Sequence, residues 1–74
     1  MKIRVRLFGV FRIGRFKEEV RDYPSGASVR AVVEQLQIPT HLLGTVLIEG
    51  VHASIEDPLT DGAVLTLLPI LGGG

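Results

Sequence analysis

The chain has 74 residues with no cysteine and two histidines, and its eight Lys and Arg residues balance eight Asp and Glu residues. A chain of this length forms one small domain, which leaves no room for a second core or a deep catalytic pocket. The lack of cysteine excludes disulfides and thiolate metal sites, and two histidines are too few for a zinc site. Stability must therefore come from the packing of Val, Leu and Ile side chains.

The charges are distributed unevenly along the chain. Residues 1–30 contain all eight basic residues and three acidic ones, whereas residues 31–74 contain five acidic residues and no basic one. Such asymmetry can indicate nucleic-acid binding, but if the halves interleave in one sheet, opposite charges become neighbours and no basic face forms. No segment approaches the ~20 apolar residues of a membrane span or contains the apolar stretch of a secretory signal. We therefore expect a cytoplasmic protein that binds neither nucleic acid nor membrane.

The N-terminal half begins with two predicted strands. The segment KIRVRLF alternates strictly, which predicts a half-buried strand with Ile3, Val5 and Leu7 on one face and Phe8 with the charged residues on the other. After a glycine-bracketed turn region, RFKEEVRDY predicts a weaker strand whose irregular apolar spacing indicates a bulge or a late start. The short link between them predicts an antiparallel hairpin.

A short helix is predicted after the turn cluster PSGAS. Ser28 is a suitable N-cap, because its hydroxyl can accept a hydrogen bond from the first helical turn. Apolar residues then recur at i, i+3, i+4 and i+7 from Val29 to Leu36, which is one helical face of about two and a half turns. Pro39 bounds the helix, since the residue before a proline disfavours helical geometry. A helix this short must pack on the sheet to be stable.

The remaining segments predict three further strands. TVLIE is rich in β-branched residues, EGVHA indicates a tight turn into a short fourth segment, and AVLTLLPIL follows the turn cluster EDPLTDG. Pro69 suits an edge strand or the end of a strand. The order β-β-α-β-(β)-β predicts an α+β domain over residues 1–71, with a mixed four- to five-stranded sheet and one helix across one face. Residues 72–74 are predicted to form a flexible glycine tail.

The sheet face away from the helix should stay open. If Leu65 and Leu67 point inward, this face carries Phe8, Val64, Thr66 and Leu68. An apolar patch flanked by charges is typical of a docking site, but ordinary exposed apolar surface accounts for it equally well.

No catalytic set is recognisable in the sequence. The serines have no histidine and acid in a plausible order, and Glu56, Asp57 and Asp61 lie in a turn cluster typical of solvated loops. We therefore expect no enzyme in the chain alone and no cofactor bound to it. The terminal glycines are either a frayed end or a working thread, free of side chains, that enters a narrow channel and presents the Gly74 carboxylate for activation as an acyl-adenylate.

Four segments together resemble a known family: VRLFGVFR (5–12), PSGASVRAVVEQL (24–36), DPLTDGAVLTLLP (57–69) and the terminal GG (73–74). The chain resembles the ubiquitin-like sulfur carriers of the MoaD/ThiS family, and most closely the small subunit of molybdopterin synthase. The resemblance covers essentially the whole chain. It implies a ubiquitin-like β-grasp fold, in which the first and last strands pair in parallel at the centre of the sheet.

The resemblance also implies a mechanism. A ubiquitin-activating-type adenylyltransferase uses ATP to adenylate the carboxylate of Gly74, and sulfur transfer then makes a thiocarboxylate. The tail donates this sulfur inside the large subunit of molybdopterin synthase or another sulfur-acceptor enzyme. Carried over to this sequence, Gly74 and Gly73 are the reacting end, and the partner-binding residues are Gly72, Phe8, Leu68 and Pro69.

Other functions remain open at this point. A thiamine-type, tungsten-cofactor or tRNA-thiolation carrier would share the same features. A ubiquitin-like protein modifier would join the activated carboxylate to a lysine amine instead. A non-catalytic β-grasp interaction module would have an inert tail, so removal of Gly74 would not affect its function.

Overall fold

The computed structural model describes residues 1–70. These residues form one α-helix, α1 (Val29–Gln35), and five strands: β1 (Lys2–Leu7), β2 (Glu18–Asp22), β3 (Leu43–Ile48), β4 (Val51–His52) and β5 (Val64–Pro69). Two short 3₁₀ helices, Gly9–Arg12 and Thr40–Leu42, precede β2 and β3. Within residues 1–70 no helix is long and apolar enough to cross a membrane.

The five strands form one mixed sheet in the order β2-β1-β5-β3-β4. β1 and β5 pair in parallel, and the other neighbouring strands pair antiparallel. No hairpin joins the parallel pair, because strands that run the same way need a long connection that crosses the sheet, and here this connection contains α1. This arrangement confirms the predicted α+β class and the ubiquitin-like β-grasp fold. β5 is thus a central strand, and Pro69 marks its end rather than an edge.

The core lies between the sheet and α1. Strand β1 alternates strictly between exposed and buried residues, as its sequence predicts. The fully buried aliphatic side chains come from the two central strands and from one face of the helix: Ile3, Val5, Leu7, Leu65, Leu67, Val29, Val32 and Val33. Burial of such side chains contributes about 1.5–3 kcal/mol each, which makes this cluster the main stabilising element.

Two residues of the first hairpin, one aromatic and one aliphatic, differ in burial from what the sequence predicts. Phe11 is buried at 1% exposure, because the predicted turn region coils into the 3₁₀ helix Gly9–Arg12 and directs this ring inward. Val20, an apolar residue of the predicted second strand, is 47% exposed. Its register partner is Arg4, so its side chain faces away from the helix. The late start of this strand, at Glu18, is confirmed.

The helix begins as predicted, but a different group caps it. Ser28 is the N-cap in an extended conformation, yet its hydroxyl makes no capping hydrogen bond, so that part of the prediction is wrong. The N–H groups of Val29 and Arg30 donate instead to the carbonyls of Asp57 (3.0 Å) and Ile55 (2.8 Å). These backbone acceptors, supplied by a loop distant in sequence, satisfy the first-turn donors that a capping side chain would otherwise satisfy.

The turn between β3 and β4 has the predicted tight form. Glu49 and Gly50 both adopt left-handed backbone angles, with φ of 52° and 76°. Two consecutive positive φ angles are typical of the two-residue hairpin turn whose twist matches that of the strands. The Glu49 carboxylate accepts a hydrogen bond from the Val64 N–H at 2.9 Å. This bond connects the hairpin to the start of β5.

Within residues 1–70 the ion pairs join the two halves of the chain at only one place. Four of the five pairs found there lie within residues 1–30, and only Arg30–Glu56 crosses to the acidic half. β5, which lies between β1 and β3, has no charged residue, so the expected alternation of opposite charges across the sheet does not develop. A hydrogen bond from Lys2 to Asp22 lowers the pKa of that carboxyl from its usual value.

Replacement of Leu67 by alanine tests the central position of β5. Leu67 is 0% exposed, so Leu67→Ala leaves a cavity and should lower the free energy of unfolding by about 2–5 kcal/mol. The matched control is Ile13→Ala, at a residue that is 74% exposed, where the change should be about 0.5 kcal/mol or less. Urea denaturation measures both. Equal effects of the two substitutions would contradict the burial described.

Candidate functional site

The chain leaves the sheet at the end of β5. Pro69 is the last residue of that strand and pairs with Leu43, at the start of β3. The Ile70 N–H then donates to the Leu42 carbonyl at 2.8 Å. The backbone is therefore held by hydrogen bonds as far as Ile70. The predicted tail of Gly72, Gly73 and Gly74 lies outside the described residues.

Two glycines make room for this exit. A Cβ on Gly44 would lie 2.9 Å from the backbone of both Pro69 and Ile70, a distance that real Cβ atoms do not show. A Cβ on Gly9 would lie 3.1 Å from the Pro69 ring, and Gly9 also has a φ of 55°. The β3–β5 register shifts between Leu43 and Thr45, so Gly44 forms a bulge around the departing chain. Glycine is needed here because the two backbones approach closely.

Apolar side chains surround the exit, and we call this set the exit rim: Phe8, Val10, Leu42, Leu68, Pro69 and Ile70. Val10 and Ile70 are about half exposed, at 53% and 52%, and Leu42 is 38% exposed. Phe8, Leu68 and Pro69 are partly buried. The sequence predicts Phe8, Leu68 and Pro69 as partner-binding residues, and it does not predict Val10, Leu42 or Ile70. The 3₁₀ helix that brings Val10 to the exit has no clear signature in the sequence.

Two arginines hold the ring of Phe8. The guanidinium carbons of Arg6 and Arg12 lie 5.5 and 4.9 Å from the ring centroid. Cation–π contacts of this kind contribute about 0.5–1 kcal/mol each at exposed sites. Nε of Arg12 also donates to the Leu7 carbonyl at 2.7 Å, which anchors this guanidinium. The exit rim therefore combines an apolar surface with fixed positive charge.

The open face behind the rim is less exposed than its sequence pattern suggests. Thr66 points to this side, as predicted, but it is only 7% exposed. Its cross-strand neighbours are Arg6 on β1 and Leu47 on β3, so longer side chains lie on both sides of it. Val64 and Leu68 are partly buried. Docking on this face would therefore involve its end at the rim more than its centre.

The acidic turn cluster has structural roles. The carboxylate of Asp57 accepts a hydrogen bond from the Ser54 N–H at 2.9 Å. That of Asp61 accepts one from the Lys2 N–H at 2.7 Å. Within the described part of the chain, no group of three or more His, Asp or Glu side chains is arranged to hold a metal ion.

Several solved structures share the fold. A Pyrococcus furiosus protein assigned as molybdopterin converting factor, subunit 1, is similar with a TM-score of 0.76 and 24% identity over 93% of this chain and 97% of that one. SAMP1 from Haloferax volcanii has a TM-score of 0.74 and 21% identity over 100% of both chains. A chain in the complex of subunit 1 and 2 of molybdopterin-converting factor from Helicobacter pylori 26695 has a TM-score of 0.67 and 23% identity over 100% of both.

Comparison with protein-family models and with curated proteins finds no match to this sequence. The structural similarity covers nearly the full length of each of the three chains, and it establishes the fold. This fold is the one that the resemblance drawn from the sequence segments implies.

Replacement of Gly44 by alanine tests the exit geometry. The added methyl group meets backbone atoms, which no rotamer change can relieve, so Gly44→Ala should cost about 1–3 kcal/mol of stability and shift the amide resonance of Ile70. The control is Gly26→Ala, where nothing lies within 4 Å of the added methyl and only a φ of 84° opposes the change. Its effect should stay within its own turn, and thermal unfolding with amide NMR spectra would separate the two. An unshifted Ile70 amide in Gly44→Ala would contradict the close approach.

Proposed function

We propose that this protein is a ubiquitin-like sulfur carrier whose C-terminal carboxylate is the reacting group. The observation that carries the proposal is the position of the exit. A central strand, hydrogen-bonded on both sides, leads the chain to the rim, and the sequence continues there with Leu71 and three glycines. A strand end held by hydrogen bonds, followed by three glycines without side chains, suits delivery of a terminal carboxylate into a narrow site.

The proposed chemistry needs two steps outside this chain. A partner adenylyltransferase binds ATP, and an oxygen of the Gly74 carboxylate attacks the α-phosphorus, so that pyrophosphate leaves. A sulfur nucleophile equivalent to hydrosulfide then attacks the acyl carbon, AMP leaves, and one proton is released. The product is a thiocarboxylate in which sulfur replaces one oxygen. Gly73 and Gly72 supply the thread, and ATP is bound by the partner rather than by this chain.

The exit rim is the surface proposed to dock partners. Its apolar side chains lie where the described part of the chain ends at Ile70, so a partner that covers them is placed to receive the segment that follows in the sequence. One of the similar structures is a complex of subunit 1 and 2 of molybdopterin-converting factor. We propose a partner of the same kind for this chain, with sulfur delivered in molybdopterin (molybdenum or tungsten cofactor) biosynthesis. Phe8, Leu68 and Pro69 would contact it.

Intact mass spectrometry tests the chemistry. After incubation with ATP, a sulfur donor and the candidate adenylyltransferase, the chain should gain the mass difference between sulfur and oxygen, located at Gly74. Deletion of Gly74 should abolish the gain and leave the unfolding temperature unchanged, because the core ends before the tail. A larger adduct through a lysine amine would instead indicate a protein modifier. An unchanged mass with a partner of proven activity would indicate an inert tail.

A pair of aspartate substitutions tests the rim. Ile70→Asp and Val51→Asp both alter exposed aliphatic residues, at 52% and 67% exposure, so both should change stability little. Val51 pairs with Ile48 on the far hairpin, away from the exit. Ile70→Asp should weaken binding of the partner at least about tenfold, since a charge would be buried there, whereas Val51→Asp should not. Calorimetric titration measures both, and equal affinities would exclude the rim as the docking surface.

A further inference from the structure

A second surface of the domain has unused hydrogen-bonding groups. β2 is an edge strand, and its bonds to β1 fall on alternate residues. The Leu7 N–H donates to the Lys17 carbonyl, and the Tyr23 N–H donates to the Met1 carbonyl, both at 2.9 Å. In this register the odd-numbered residues of β2 bond to β1. The outward N–H and C=O groups, which have no partner within residues 1–70, are those of Glu18, Val20 and Asp22.

A groove runs beside this edge on the helix side of the sheet. It encloses about 350 Å³ between β2 and the C-terminal end of α1. The groove is lined by side chains from β2, from the segment before it and from the helix end, principally Arg15, Phe16, Glu19, Arg21, Gln35 and Leu36. It therefore offers an aromatic and an aliphatic surface next to charged groups. The exit rim supplies none of these residues.

Arg15 is held in the groove with its charge uncompensated by a carboxylate. Its Nε donates to the Leu36 carbonyl at 2.8 Å. Its two terminal nitrogens donate to the Gln37 carbonyl at 2.9 Å and to the Phe11 carbonyl at 3.3 Å. No carboxylate within residues 1–70 lies within 4 Å of it. These bonds satisfy carbonyls at the end of the helix and fix the position of the guanidinium.

Arg21 has an unused donor. One terminal nitrogen pairs with Glu19 at 2.6 Å, and the guanidinium lies 5.3 Å from the centroid of the Phe16 ring. Nε, however, is buried with no acceptor, the one such side-chain atom in the described part of the chain. Because Nε is buried, an acceptor from a partner would meet the terminal nitrogens of the guanidinium rather than Nε.

We propose that β2 and this groove bind an extended, acidic segment of a partner protein, which adds to the sheet as a further strand. Backbone groups of the segment would pair with the outward groups of Glu18, Val20 and Asp22. Every second side chain of the segment would face the helix side. The charged residues that an acid meets there are two cations, Arg15 and Arg21, and one carboxylate, Glu19.

A second copy of this chain fits the edge less well. Antiparallel pairing of two β2 strands about Val20 would place Glu18 of each copy opposite Asp22 of the other, and Glu19 opposite Arg21. The first pairing is repulsive and the second attractive, so the dimer gains no net charge complementarity. An acidic segment does gain it, because it brings carboxylates to the arginines of the groove without a matching set of opposed carboxylates.

The proposed site is independent of the exit rim. β1 separates β2 from β5, and no residue of the exit rim lines the groove. A partner bound along β2 would leave the exit rim uncovered. Such a partner could hold the protein while its tail reacts elsewhere. The test below involves no sulfur chemistry, so its failure would leave the proposed function unaffected.

The test is titration of the full chain with a blocked hexapeptide that alternates valine with glutamate, followed by amide NMR spectra and fluorescence anisotropy. Saturable binding should shift the resonances of residues 14–22 and 34–37. The matching valine–glutamine peptide should bind at least about tenfold more weakly, because it lacks the charge that pairs with the arginines. Arg21→Ala should weaken binding of the acidic peptide to a similar extent. Arg30→Ala, at an arginine outside the groove, should leave it unchanged.

Substitution of Val20 separates strand addition from simple charge attraction. Its N–H points away from β1, so Val20→Pro removes an outward donor without removing a bond of the β1–β2 ladder. Val20→Pro should abolish peptide binding, and Val20→Thr should retain it. The two Val20 variants still test the proposal if Arg21→Ala fails to fold. Absence of saturable binding, shifts centred on Phe8 and Leu68, equal binding by the two Val20 variants, or a dimer formed through β2 would each overturn the proposal.

Discussion

The pairing of β5 between β1 and β3 is the constraint on which the rest of the structure depends. β5 forms a parallel ladder with one neighbour and an antiparallel ladder with the other, so its backbone is bonded on both sides. Leu65 and Leu67 are fully buried beneath the helix. A strand in this position cannot shift without disrupting both ladders and the core together. It therefore gives the chain end a fixed point of departure.

The two faces of β5 serve different purposes because side chains alternate along a strand. The inward residues stabilise the domain, while Leu68 on the outward side lies at the exit rim beside Phe8. The strand ends in Pro69, which has no N–H to donate, and the Ile70 N–H makes one further bond to the Leu42 carbonyl. Gly44 opens a bulge that lets the chain pass. The proposed function thus uses the same element that holds the fold together.

The edges of the sheet contrast with its centre. The basic half of the chain lies on the β1–β2 side, where its own acids pair with four of its eight cations, and within residues 1–70 only Arg30 pairs with the acidic half. Arg12, Arg15 and Lys17 remain without carboxylate partners within residues 1–70. Arg15 lies in the groove beside β2, and Arg12 lies beside Phe8 at the exit rim. Uncompensated positive charge therefore accompanies both proposed binding surfaces.

The sequence by itself determined the elements whose patterns are local. The alternation around Val5, the helical spacing from Val29 to Leu36 and the turn at Glu49–Gly50 reflect the periodicity and backbone angles of single segments, and each was predicted correctly. The class of fold followed from their order. Only the tertiary structure decided which groups meet across long separations. The burial of Phe11, the capping of α1 by loop carbonyls, the need for glycine at position 44 and the groove beside β2 all arise from contacts between distant segments, and no local pattern encodes such contacts.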